Sequence, residues 1–189
     1  ALARVGAALA CPTFLADLTS AEAVDAMVES VCAGGMPQGL INNAGIIRNA
    51  PLLHLFDPAE RRHSLELWEE VSDVILTAVF LVTRAFVARM AEKRVRGVVI
   101  SMSSIAAKGN AGQGAYAAAK AGVEALTKSW ARELGPLGFR FMAIAPGFID
   151  TPSTRRALSE DVLTELKRRT PLRRLGQAGA VAQAVLYAL

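Results

Sequence analysis

Short apolar runs alternate along this chain with longer stretches in which apolar residues recur every three to four positions. That alternation predicts a parallel sheet covered by helices on both faces. TFLADLTS reads as a strand ending at Asp17, after which Ser20 caps a helix whose Ala23, Val24, Met27, Val28 and Val31 share one face. GLINNAG reads as a second short strand ending in a turn. From Leu65 to about Lys93, Leu67, Val71, Val74, Ile75, Ala78, Leu81, Val82 and Ala85 keep a period of about 3.6 residues, which predicts one long helix. GVVISMSS, apolar almost without interruption at its start, reads as a strand buried on both faces. After the Gly-rich AAKGNAGQG, a helix is predicted from about Ala115 to Leu134, stopped by Gly135 and Pro136. FRFMAIAPG is the fourth predicted strand; helices near Ser159–Arg169 and from Ala178 onward complete the pattern.

In such a sheet, ligands bind beyond the carboxyl ends of the strands. Four predicted strand ends carry polar or turn-forming groups: Asp17, the NNAG turn, the pair Ser103–Ser104, and Pro146–Gly147. The topology would gather them on one edge, which marks that edge as the candidate site.

Composition narrows the function classes. With 189 residues, 52% hydrophobic and 20% charged, the chain suits a single globular domain with a large core. No apolar run reaches the length of a membrane-spanning helix, and the N-terminus lacks a secretory layout, so a cytoplasmic protein without membrane contact is expected. Cys11 and Cys32 lack metal spacing and read as reduced thiols. His54 and His63 have no third ligand, which argues against a metal site. The net charge of +4 includes the cluster LKRRTPLRRLG, but no aromatic residues interleave it, so a solvated helix end is expected and not a nucleic-acid surface.

Tyr116 and Lys120 lie four apart in QGAYAAAKAGV, which places them on one helix face about 6 Å apart at Cβ. An ammonium beside a phenol eases loss of the phenolic proton. Such a tyrosine could give a proton to a carbonyl oxygen, or take one from an alcohol, as hydride moves to or from carbon. A serine hydroxyl nearby would hold the same oxygen.

The succession NNAG, SMSS, YAAAK and IAPGFIDT resembles the short-chain dehydrogenase/reductase family, and among its members the bacterial 3-oxoacyl-(acyl carrier protein) reductase-like enzymes. The likeness runs from about Phe14 to the C-terminus and is strongest in GQGAYAAAKAGVEALTKSWARELGPLGFR. It implies a Rossmann-like doubly wound α/β fold and hydride transfer between NADP or NAD, with NADP preferred, and a carbonyl or secondary alcohol. A 3-oxoacyl thioester is the implied substrate, and sugar alcohols or other small ketones are the alternative. Tyr116 would be the general acid/base, and Lys120 would assist it and hold the cofactor ribose. For the serine, the family's usual interval of about thirteen residues before the tyrosine reaches Ser103, whereas matching the strand from Gly97 reaches Ser104, the preferred choice. Asp17 and Leu18 would meet the adenine, Asn43, Ala44 and Gly45 the adenosine ribose, and Pro146, Gly147, Ile149 and Thr151 the nicotinamide carboxamide. The resemblance also implies a homo-oligomer, a dimer or tetramer, paired through the two long helices, with Ala118, Ala121 and Ala125 allowing close packing.

Three features depart from that pattern. Neither Gly6 nor the glycines of Ala33–Gly35 supply the phosphate-binding turn, and the family's final strand is not present, so an incomplete domain of a protein of about 250 residues is expected. Ile75 stands where the family has a proton-relaying Asn, and Met142 where it usually has another Asn. The loop Ile46–Ser64 is roughly eight residues longer than the family norm, which suits a substrate mouth or a subunit contact. Ile75 and the absent turn leave a second reading open, a catalytically impaired relative that binds or regulates.

Overall fold

The computed structural model describes residues 2–55 and 61–189; of the long loop Ile46–Ser64, residues 56–60 lie outside the described residues. In chain order the elements are α1 (Leu2–Leu9), α2 (Ala21–Ala33), β1 (Gly39–Asn42), α3 (Leu65–Ser72), α4 (Ala78–Glu92), β2 (Val98–Met102), α5 (Gly114–Leu134), β3 (Arg140–Ile144), β4 (Ile149–Asp150), α6 (Pro152–Ala157), α7 (Glu160–Arg169), β5 (Gly176–Gln177) and α8 (Ala178–Ala188). The strands β1, β2 and β3 form a parallel sheet in that order, with Leu40 opposite Val99 and Val99 opposite Phe141. Alternation along β2 sends Val99 toward α2 and α4, while Val98, Ile100 and Met102 pack against Val181, Val185 and Ala188 of α8. The sheet is therefore covered on both faces, the Rossmann-like α/β arrangement expected from the alternating pattern.

One predicted strand is not there. Cys11 to Asp17 carry no strand pairing, and Phe14 and Leu15 are exposed. A strand is a property of a pair, and β1, which ends the described sheet, makes no ladder with this segment. The pair β4–β5, two residues each, was not anticipated from the pattern; Ile149 lies opposite Gly176.

The long helix forms but is not uniform. Between α3 and α4, Asp73–Thr77 make a π-helical turn, so the chain stays helical from Leu65 to Glu92. The extra residue of a π turn rotates the stripe that follows. Before, within and just after it, Val71, Ile75 and Val79 pack on Ala115, Ala119 and Val123 of α5. Beyond it, Leu81, Val82, Phe86 and Met90 pack on α2 and the sheet. Sequence reading excluded any run of membrane-spanning length, yet this 28-residue helix, at a mean hydropathy of 1.9 over its most apolar stretch, passes on length and composition. Its apolarity has another use, since more than half of that stretch is buried against the rest of the protein.

The predicted cap at Ser20 forms, its hydroxyl accepting from the Ala23 N–H at 3.2 Å, and Ser64, expected as the last residue of the long loop, caps α3 in the same way through the Leu67 N–H. Gly6 lies inside α1 and Gly34 caps α2, so neither opens a strand-to-helix phosphate turn.

Candidate active site

The carboxyl ends of β1, β2 and β3 bring the site together. At the end of β1, the Asn42 amide is buried and donates to Thr83 Oγ1 at 3.0 Å and Ser101 Oγ at 3.2 Å, tying β1 to α4 and β2. With Asn42 anchored, Asn43, Ala44 and Gly45 emerge exposed. Leu18, Asn43 and Ala44 line one cleft of about 430 Å³ together with Phe14, Leu15 and Ile41. Asp17 stands beside this cleft, not in its wall. Its carboxylate accepts from the Thr19 N–H at 2.9 Å and the Thr19 hydroxyl at 2.7 Å, and these bonds hold it below the usual carboxylate range.

Among the described residues, Lys120 is the buried charged side chain. It lies on the buried face of α5, only 6% exposed, and its Nζ donates to the Met102 carbonyl at the end of β2 at 2.5 Å. Burial lowers its pKa from the ordinary 10.5 to about 8. The ammonium lies 5.8 Å from the centre of the Tyr116 ring one turn earlier. A Cβ placed on Gly45 would come within 3.9 Å of Lys120 Nζ and 4.0 Å of Ile75. Gly45, in the turn after β1, thus lies beside Ile75 and the Lys120 ammonium, with Tyr116 packed in the same cluster as Ile75.

The two serines part company at the strand end. Ser103 is buried, with its hydroxyl donating to Glu124 of α5 at 2.7 Å and its N–H to the Ile144 carbonyl. Ser104 follows in extended conformation, so its side chain takes the opposite side; it is half-buried and accepts from the Ala106 N–H at 3.1 Å. An accepted bond leaves the Ser104 hydroxyl proton available for donation. The Ile105 N–H bonds the Pro146 carbonyl at 3.2 Å, which brings the serine loop beside Pro146–Gly147. Beyond them, Ile149 is held in β4 and Thr151 caps α6, accepting from the Thr154 N–H at 3.1 Å.

Three contributors were not read from the sequence. Asn42 was grouped with the NNAG turn, but its role is to brace that turn from inside. The Met102 carbonyl and the Glu124 carboxylate are long-range partners of Lys120 and Ser103 that no local motif announces. A fourth contact gives the long loop a place. The Ala50 N–H bonds the Gly112 carbonyl at 2.9 Å and Gln113 Nε2 donates to Asn49 Oδ1 at 2.8 Å, so the loop grips the approach to Tyr116.

Ile75 is fully buried among Val71, Val79, Ala115, Ala119 and Val123. Asparagine there would lose apolar burial and bring an amide into an apolar cluster, at about 2–4 kcal/mol. Ile75→Asn is therefore expected to lower the thermal midpoint by roughly 5 °C or more, measured by circular dichroism. An unchanged midpoint would show that the π turn already offers the amide partners.

Comparison with known proteins gives the family. A family model described as enoyl-(acyl carrier protein) reductase matches residues 1–189. A 3-oxoacyl-(acyl-carrier-protein) reductase of Thermotoga maritima is 38% identical over 176 residues, covering 92% of this chain and 68% of that protein. A (3R)-3-hydroxyacyl-CoA dehydrogenase of Canis lupus familiaris is 39% identical over 177 residues, covering 92% of this chain and 65% of that protein. A crystal structure described as ribose-5-phosphate isomerase from Brucella melitensis superposes with a TM-score of 0.86 at 32% identity, over 98% of this chain and 70% of that one. The chain thus spans about two thirds of the length of the curated relatives it matches.

Proposed function

The chain belongs to the short-chain dehydrogenase/reductase family, and on that premise we propose that it is an oxidoreductase that reduces the ketone of a 3-oxoacyl thioester with a nicotinamide dinucleotide. The observation that carries this reading is Lys120, a buried ammonium fixed on the Met102 carbonyl beside the Tyr116 ring, with Gly45 close by. The two curated relatives named above act by their descriptions on 3-oxoacyl and 3-hydroxyacyl substrates, which supports the substrate class.

The residues present fit the cofactor. Gly45 lies close to the Lys120 ammonium, where a ribose would come within its reach, and the cleft lined by Leu18, Asn43 and Ala44 would take an adenosine. Asp17, Leu18, Asn43, Ala44 and Gly45 would hold that end, while Pro146, Gly147, Ile149 and Thr151 would frame the carboxamide. NADP is the preferred form. When bound, the nicotinamide supplies the hydride.

The chain supplies the proton and the orientation. Ser104 donates its hydroxyl proton to the substrate oxygen and fixes where that oxygen sits. Tyr116 gives its proton to the same oxygen as the carbon is reduced. Lys120, held charged at neutral pH even with a pKa near 8, stabilises the negative charge that develops on the phenol. Ser103 is the poorer choice for the substrate serine because its proton goes to Glu124. The exposed Ala118, Ala121 and Ala125 on α5 offer a small-residue face for pairing copies of the chain, and a cytoplasmic setting suits the two free thiols, Cys11 and Cys32.

The test is oxidation of reduced cofactor with a panel of thioesters, using this chain extended upstream by the family's phosphate-binding turn. Turnover with a 3-oxoacyl thioester, and little with a sugar ketone or with an enoyl thioester that takes its proton on carbon, is the expected result. No turnover with any carbonyl, despite cofactor binding, would turn the reading toward the binding or regulatory relative.

A further inference from the structure

We infer that Ser103 and Glu124 are positioning residues, a clasp between β2 and α5 that sets where the Lys120 ammonium stands; the inference rests on the oxidoreductase reading for its catalytic consequence. The dipeptide Met102–Ser103 holds Lys120 in two ways. The Met102 carbonyl takes the ammonium at 2.5 Å, and the Ser103 hydroxyl lies 2.7 Å from Glu124 Oε1 and 3.4 Å from the Lys120 carbonyl. Lys120 and Glu124 are one helical turn apart, so the Ser103 hydroxyl reaches both ends of that turn. The Ser103 N–H donates to the Ile144 carbonyl at 2.7 Å, which anchors the clasp on β3 as well.

The clasp differs in kind from ordinary core packing. Ser103 is 4% exposed, and a hydroxyl buried there would be costly without its acceptor. Glu124 is half-buried at the rim of a cleft of about 330 Å³ that Thr127 and Lys128 also line, and its Oε1 accepts from the Ser103 hydroxyl. At 2.7 Å the bond is short, at the usual length for a hydroxyl donor to oxygen. It fixes the height of α5 on the strand end at the turn that carries Lys120, and Tyr116 lies one turn further on the same helix. Small displacements of a catalytic group are expensive, up to about a hundredfold in rate for roughly 1 Å.

Four variants test the clasp: Ser103→Ala, Glu124→Ala, Glu124→Gln and the double alanine variant. Two readouts are used, steady-state kinetics and the titration of the Lys120 side chain followed by NMR of labelled lysine. The amide oxygen of Glu124→Gln still accepts from Ser103, so this variant should keep most of the turnover and the parent Lys120 midpoint. Either alanine variant should lower kcat about tenfold with KM for the ketone within about twofold. Either should also move the Lys120 midpoint up by about half a pH unit or more, as the ammonium gains access to water. The double variant should be no worse than the singles, because both remove one bond. An unmoved Lys120 midpoint in both alanine variants, or a Glu124→Gln variant as impaired as Glu124→Ala, would overturn the inference. A parent without turnover would remove the oxidoreductase reading, and the lysine titration would still decide whether the clasp places Lys120.

Discussion

Tyr116→Phe is expected to lower kcat by roughly a hundred- to ten-thousandfold while leaving the fold and cofactor affinity close to the parent. The substitution removes one oxygen and keeps the ring. The ring is half-buried against the cluster of Val71, Ile75, Ala115, Ala119 and Val123, and its face toward Lys120 survives. The thermal midpoint should therefore move by no more than about 3 °C. Without the phenolic proton, the developing alkoxide would have the Ser104 hydroxyl and water alone. Stopped-flow measurement of cofactor oxidation, with cofactor affinity from nicotinamide fluorescence, separates the two effects. A kcat within about threefold of the parent would remove Tyr116 from the chemistry.

The second large effect is a trade between stability and activity at Lys120. Burial lowers its pKa from 10.5 to about 8, so the unfolded chain binds more protons than the folded one between those values. Stability then rises with pH from about 8 to 10.5, and below about 8 the fold carries the whole penalty, roughly 3 kcal/mol. Lys120→Met removes that penalty but leaves the Met102 carbonyl without its ammonium, a loss of about 1–3 kcal/mol. The variant should thus be at least as stable as the parent at pH 7, and the stability difference between the two should narrow as pH rises from 8 to 10.5. Turnover should fall by roughly a hundredfold or more, because Tyr116 loses its neighbouring charge and the ribose its partner. Urea unfolding of parent and variant at several pH values checks the first half. A variant several kcal/mol less stable at pH 7 would mean that the Met102 bond outweighs the cost of burying the charge.

The sequence made some of this legible because certain features are local. The cap at Ser20 and the helix α5 follow from patterns within one element, and they form as the sequence predicts. That β1, β2 and β3 run parallel follows from the alternation of strand and helix; their order in the sheet does not. Other features depend on partners distant in the chain. Phe14 to Asp17 has the composition of a strand, but hydrogen-bonded pairing decides whether one forms. The π turn at Asp73–Thr77 shifts a periodic stripe by one residue, a change that lies within the tolerance of any periodic reading.

The site divides in the same way. Tyr116 and Lys120 stand out through the succession NNAG, SMSS, YAAAK and IAPGFIDT and not by their spacing alone, whereas the Met102 carbonyl and Glu124 come from other turns of the fold. Counting along the chain left Ser103 and Ser104 as competitors. The extended backbone at Ser104 separates them, sending one hydroxyl to Glu124 and the other to the opposite side.

The account's central claim is that hydride passes to a carbonyl carbon while Tyr116, beside Lys120, protonates the oxygen. The most direct measurement uses reduced cofactor carrying deuterium on the hydride-donating carbon, a 3-oxoacyl thioester, and this chain extended upstream by the phosphate-binding turn. The account predicts a 3-hydroxyacyl thioester with deuterium on its carbinol carbon, formed at a rate that collapses in Tyr116→Phe. Product without deuterium at that carbon, or equal labelling rates with and without the Tyr116 hydroxyl, would contradict it.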